Sequence, residues 1–333
     1  MPRVKIGPAL PDRSVLNGLR AHWHSVFRRR PPPQLPRHLL YRVAVNRFVD
    51  KPAYEILQGQ AVTSLADGRN IRLINTFANE EYERFNNNAA DLAQQKVDLI
   101  YAVTLPAALA AQRATKTVPV VFILVADPVA TRLVASIAQP SGNITGFSHL
   151  SDDLAAKRLE IFRETVPGLS HVAVLTNPSD TVGARRTLDE TKAAAARLNI
   201  TVRPIEARDR NELRQVISSL DDSIRALILQ PDALFFVERS QIAELAMKHR
   251  LPVMGFNALM VNSGVLVSYA PNILGLFRRS AVYVDRIIKG AKPSELPVEL
   301  PTKFEFFINL KTAKVLNLNI SETLLLRADK LIE

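Results

Sequence analysis

The residues best placed to do chemistry in this chain are polar or aromatic, and they stand directly after short apolar runs. Thr104 and Leu105 follow LIYAV, Asp127 follows VVFILVA, Asp232 follows ALILQP and Asn257 follows PVMGF. Phe48 and Asp50 come just after YRVAVNR, and Tyr269 ends GVLVS. Carboxylates, an amide, a hydroxyl and two flat aromatic faces can fix the orientation of a small organic ligand. Three of these positions have a bland reading as well. Asp127 and Asp232 precede helical patterns, where an aspartate side chain caps the first turn. Tyr269 beside Val267 also reads as a core residue.

Patterns for bond-making chemistry are missing. The chain has no G-x-G-x-x-G, no G-x-x-x-x-G-K-[ST], no H-E-x-x-H and no G-x-S-x-G, so phosphate loops, zinc helices and serine elbows find no support. Cysteine is absent, which removes thiolate nucleophiles, disulfides and Cys-ligated metals together. The histidines are His22, His24, His38, His149, His171 and His249, and none pairs with an evident nucleophile. We therefore expect no catalytic residue, no metal and no cofactor.

The elements that would hold these residues form a repeating series. Strand patterns at 41–45, 70–77, 97–103 and 118–125 alternate with helical patterns at 54–65, 80–95 and 107–115. A second series follows, with helices at 154–166, 182–197, 211–220 and 238–249 and strands at 171–175, 201–205, 226–229 and 252–256. Such alternation with short connections specifies parallel sheets covered by helices. The fold class is α/β, two doubly wound Rossmann-like lobes. Ligands in such sheets bind beyond the carboxyl ends of the strands, and two facing units would line one cleft. After residue 264 the remaining elements are too few for a third core, so the chain is expected to cross back to the first unit and then to the second through a hinge of several crossings. Expected boundaries are 39–147 with 265–291 for the first lobe and 148–264 with 292–333 for the second. The stretch Gly142 to Gly146 reads as a crossing between lobes, although Asn143-Ile144-Thr145 also matches a glycosylation acceptor.

Charge is unevenly spread. Of the formal net charge of +11, a net +9 lies in residues 1–47, where ten basic residues stand against Asp12 alone, and seven of the 21 prolines lie in residues 1–38. We read 1–38 as a poorly ordered basic extension outside the fold. RRRPPP, Arg28 to Pro33, breaks any recognition helix, so no nucleic-acid role is expected. No apolar run reaches the roughly 18 residues of a membrane span, and no signal-peptide core stands before residue 38.

Three longer blocks carry a resemblance. PVVFILVADPVATRLVASIAQPSGNITGFSHL, KRLEIFRETVPGLSHVAVLTNPS and PTKFEFFINLKTAKVLNL resemble the ABC-transporter substrate-binding proteins of the tryptophan or aromatic amino-acid type, in order from about Tyr41 to Glu333. The resemblance implies the bilobed type I periplasmic-binding fold, capture of a small amino-acid-like ligand without catalysis, and delivery to a membrane permease by a monomer. It also implies export, with a mis-assigned start or a degenerate signal behind the basic arm. Phe48 to Ala53 is similar to a family loop that touches ligand. Asp127-Pro128, Asn143 to Gly146 with Thr145, Pro231-Asp232 and Ser268-Tyr269 fall on family blocks around the cleft. In two places the chain departs. Leu105-Pro106-Ala107-Ala108 stands where Thr-Pro-Ala-Ala is usual, with Thr104 one position earlier, and Ala270 replaces a glycine. A ligand-sensing effector domain of a regulatory system is the alternative on the same fold. A nucleotide-dependent transferase would need a glycine loop after the first strand, which Asn46 to Asp50 lacks.

Overall fold

The computed structural model describes residues 41–47, 70–78, 83–149, 154–179 and 183–333. Two sheets organise them. The first contains β1 (Tyr41–Arg47), β2 (Ile71–Phe77), β3 (Leu99–Val103), β4 (Val120–Val125) and β5 (Ile144–Ser148), in the order β2-β1-β3-β4-β5. All of its pairings are parallel. Between the strands lie α1 (Arg84–Gln94) and α2 (Leu105–Ala114). Strands β3 and β4 are apolar almost throughout because both faces of a parallel sheet are covered.

The second sheet repeats that order and extends it. Helix α3 (Leu154–Thr165) leads to β6 (His171–Thr176), α4 (Gly183–Arg197), β7 (Thr201–Glu206) and α5 (Arg210–Ser218). Then come β8 (Ala226–Leu229), α6 (Ala233–Val237), α7 (Arg239–Lys248), β9 (Val253–Gly255), α8 (Ala258–Asn262) and β10 (Val267–Pro271). The spatial order β7-β6-β8-β9-β10 is the same winding as in the first lobe. Helix α9 (Ile273–Ile288) returns to the first lobe, where its Tyr283 ring meets Phe147 of β5 edge-on with centroids 4.8 Å apart. Strand β11 (Phe304–Asn309), helices α10 (Leu310–Val315) and α11 (Glu322–Arg327), and β12 (Lys330–Ile332) then close the second lobe, with β11 antiparallel to β10.

Several expectations change here. Ile144–Ser148 is a paired edge strand and not a crossing, since Gly146 and its neighbours bond to β4 on one side and to Glu299 on the other. Val267–Pro271 belongs to the second sheet, so the chain returns to the first lobe after Pro271 and not at residue 265. The five-residue α6 carried no separate sequence signal. The expected helix at 54–65 and the basic extension lie outside the described residues.

The hinge is three connections held in pairs. Ser148 N–H donates to the Glu299 carbonyl at 2.9 Å, and Glu299 N–H to the Gly146 carbonyl at 3.0 Å. Asn272 N–H donates to the Lys303 carbonyl at 2.9 Å, and its amide Nδ2 to Glu305 Oε1 at 2.5 Å. Backbone torsion in one connection is therefore coupled to its partner, which is what a hinge needs.

Candidate functional site

The strand order fixes where a site can be. In a sheet wound 2-1-3-4-5 the chain reverses direction of travel between strands 1 and 3, which opens a crevice at their carboxyl ends. In the first lobe that crevice lies between the ends of β1 and β3, beside Thr104. In the second it lies between β6 and β8, beside Asn177, Gln230 and Asp232.

Thr104 is held in a strained backbone conformation at the end of β3. Its backbone stands at φ 85°, ψ 162°, a region populated almost only by glycine, and its hydroxyl makes no capping bond to α2. A β-branched residue held there costs on the order of 1–3 kcal/mol. Thr104→Gly is therefore expected to raise the unfolding free energy by about 1 kcal/mol in urea denaturation, the relief exceeding the entropy that glycine loses on folding. Affinity for ligand is expected to fall at the same time.

Asp127 closes β4 and does two things. Its Oδ1 accepts from the N–H groups of Val129 at 3.1 Å and Ala130 at 2.9 Å. Its Oδ2 pairs with the Arg186 guanidinium on α4 of the other lobe. The pair spans the gap between lobes, and Arg186 also donates to Glu190 at 3.2 Å on its own helix. Partial burial pushes the Asp127 carboxyl up, but the Ala130 amide, the Arg186 bond and charge, and the Val129 amide outweigh it and leave it below its ordinary value.

In the second lobe the polar residues are built into the strand ends. Asp232 caps α6, accepting from Leu234 N–H at 2.8 Å and Phe235 N–H at 3.4 Å. Asn257 caps α8 through Leu259 N–H at 2.8 Å. The buried Gln230 carboxamide, turned so that its NH2 donates to the Ala184 carbonyl at 3.0 Å, accepts from Leu188 N–H at 2.8 Å and so sits inside the α4 ladder. Tyr269 is half-buried and stacks on Phe304 with centroids 5.9 Å and planes 18° apart.

Two sequence candidates face the protein and not the gap. Thr145 is fully buried and its hydroxyl donates to the Leu296 carbonyl at 2.7 Å, tying β5 to the returning segment. Leu105 is part of the apolar core under α2. Phe48 and Asp50 lie outside the described residues. A cavity of about 470 Å³ opens elsewhere, on the outer side of the first lobe between α2 and residues 129–144. Its amides are already engaged, Gln112 with the Arg132 and Leu133 carbonyls and Asn143 with the Val118 carbonyl, so it reads as loop packing.

Sequence reasoning passed over the groups at the hinge. Arg158 on α3 is 5% exposed and its Nε donates to the Tyr269 carbonyl at 2.8 Å. Burial lowers its pKa to about 10, against the pull of Tyr269, so it remains cationic at neutral pH. His149 follows β5, and its Nδ1 is enclosed without a partner. Enclosure first, and then the Arg158 charge, lower its pKa from 6.5 to about 4, opposed by a bond to the Leu124 backbone. Only a nearly invisible pattern could have marked Arg158, since arginine four residues into an amphipathic helix ordinarily points to water.

His149 gives a pH prediction with a definite sign. The unfolded chain takes up a proton on this ring below its ordinary 6.5, whereas the folded protein resists until about 4. Its contribution is thus whole above pH 6.5 and lost as the pH falls through that window. The ring keeps some exposure, which limits the loss to about 2 kcal/mol. Urea unfolding at pH 7 and pH 4.5 should show the drop, and His149→Gln should flatten it.

The duplicated winding, the paired hinge and the gap bridged by Asp127 and Arg186 define a bilobed ligand-binding protein. The chain belongs to the ABC transporter substrate binding protein family, whose model matches residues 42–332. Members bind and do not catalyse, and the family works outside the cytoplasm. Among similar proteins, a tyrosine-binding protein of Clostridioides difficile is 27% identical over 282 residues, covering 83% of this chain and 81% of that protein. A conserved domain protein of Vibrio cholerae superposes with a TM-score of 0.81 at 25% identity over 87% of this chain and 99% of that one. The ABC domain in complex with L-Trp from Streptococcus pneumonia gives a TM-score of 0.78 at 22% identity, covering 88% and 100%.

Proposed function

We propose that this chain captures an aromatic amino acid between its lobes and delivers it to an ABC permease, acting as a monomer outside the cytoplasm. The observation that carries the reading is the gap between the lobes, with the crevice of each lobe on either side and Asp127 and Arg186 joined across it. A ligand that touches both lobes stabilises the closed arrangement by its differential affinity for it. The tyrosine-binding relative and the L-Trp complex support the ligand class, and the stacked Tyr269 and Phe304 rings offer a flat apolar wall beside the hinge. Thr104, Asp127, Asp232, Asn257 and Tyr269 are the contact residues in this reading, with Phe48 and Asp50 on the loop after β1.

A thermal-shift screen of the common L-amino acids tests it, because a ligand that binds only the folded state raises the melting temperature. L-tyrosine or L-tryptophan should give the largest shift, with calorimetry confirming one site. Equal shifts for aliphatic and aromatic amino acids, or none for any, would remove the aromatic reading.

A further inference from the structure

Arg158 is a buried cation without an anion. It is 5% exposed, one nitrogen of its fork is bonded to the Tyr269 carbonyl, and no carboxylate among the described residues pairs with it. The other exposed or half-exposed arginines nearby are different. Arg186 meets Asp127 and Glu190, and Arg327 meets Glu164 on the same helix as Arg158. Taking a guanidinium out of water is costly unless an anion or several acceptors replace the water. One backbone carbonyl satisfies one of five donors.

The position of this unspent charge is specific. Tyr269, whose carbonyl holds Nε, has its ring on Phe304 and stands three residues before the chain returns to the first lobe at Asn272. His149, on the connection leaving the first lobe, is close enough to feel the Arg158 charge and is kept neutral by enclosure, so the cluster carries a single positive charge. Its Nδ1 is a second polar atom there without a partner. Two of the hinge connections and the edge of the aromatic wall thus converge on one cation whose fork is free to grip a planar anion.

We propose that Arg158 receives the carboxylate of the ligand at the hinge end of the cleft, so that the site selects amino acids and related carboxylates over their amides and amines. This rests on the proposed ligand class. A bidentate guanidinium–carboxylate pair gives both charge and direction, and the side chain of the ligand would then lie along Tyr269. Because Arg158 stands on the second lobe while His149 stands on the connection leaving the first, a carboxylate held by Arg158 would report closure at the place where the lobes pivot.

The test uses Arg158→Met and Arg158→Lys in the full chain, with L-tyrosine and L-tyrosinamide as probes. The wild type should bind L-tyrosine at least tenfold more tightly than the amide. Arg158→Met should erase that preference by weakening L-tyrosine at least tenfold while leaving the amide unchanged, and Arg158→Lys should restore part of it. A second arm needs no ligand. Replacing an unpaired buried cation by an apolar isostere should leave the melting temperature of the empty protein equal or higher. A fall of several degrees would mean that a protein carboxylate already pairs with Arg158, Asp152 and Asp153 being the near candidates in sequence, and would overturn the proposal. Equal weakening of acid and amide would overturn it as well. If the wild type bound neither probe, the aromatic reading would fall, and the melting temperature of the empty variant would still decide whether Arg158 is an unspent charge.

Discussion

Gly146→Ala is expected to destabilise the protein by about 3 kcal/mol or more, the largest single effect in the first lobe. A Cβ at this position would stand 2.0 Å from the Phe122 carbonyl oxygen and 2.7 Å from its carbonyl carbon. Those are backbone atoms in the middle of β4, and they cannot turn aside as the tip of a side chain could. Phe122 is itself fully buried, and the opposite side of Gly146 is tied to Glu299. The methyl group must therefore push β5 away from β4 and strain the first hinge connection at once, beyond the usual cost of overpacking a core. Gly142→Ala is the matched control. Its φ of 66° favours glycine, but no atom lies within 4 Å of the added carbon, so the loss should stay near 1 kcal/mol. Urea denaturation of the two variants side by side gives the comparison. Equal losses would show that β5 is not held as tightly as the register implies.

Tyr269→Ala should weaken binding of L-tyrosine at least tenfold, or about 1.4 kcal/mol. The ring supplies one of two stacked aromatic faces beside the hinge, and an aromatic pair contributes roughly 0.5–1.5 kcal/mol beyond its buried area. Truncation also frees Phe304, so some stability is lost, and the melting curve must show that the variant is folded before affinity is compared. Tyr269→Phe keeps the face and removes the hydroxyl, and it should bind nearly as the wild type does. Calorimetry on both variants separates wall from hydrogen bond. Unchanged affinity in the alanine variant would take Tyr269 out of the site.

The α/β alternation was legible because its physical causes are local. Strands such as Val120–Val125, covered on both faces, must be apolar at nearly every position, and α5, capped by Asp209 with Leu213 and Ile217 buried, shows its one-sided pattern plainly. Strand β5 escaped because its identity rests on tertiary pairing with β4 and on the returning segment, where Thr145 meets the Leu296 carbonyl, and because ITGFS mixes small and polar residues. The membership of β10 escaped for a similar reason. GVLVSY reads as a strand in either lobe, and only its pairing with β9 and β11 assigns it.

At the site, the ends of strands marked by Thr104, Asp127, Asp232 and Asn257 followed from the sequence alone, since apolar runs must stop in polar loops at the carboxyl edge. Which of those side chains is spent on capping and which bridges the lobes did not follow. Asp127 reaches Arg186 across the gap only because two separately wound sheets meet there. Arg158 is the sharpest case. Its charge predicts exposure, and its burial between α3 and β10 beside the hinge is set by how the second lobe packs. Sequence periodicity determined most of the elements, their order along the chain and the edge at which the polar loops collect, because those depend on neighbours within a turn or a strand. The tertiary structure decided where the chain crosses between lobes and which polar groups remain unsatisfied, because both depend on contacts between residues far apart along the chain.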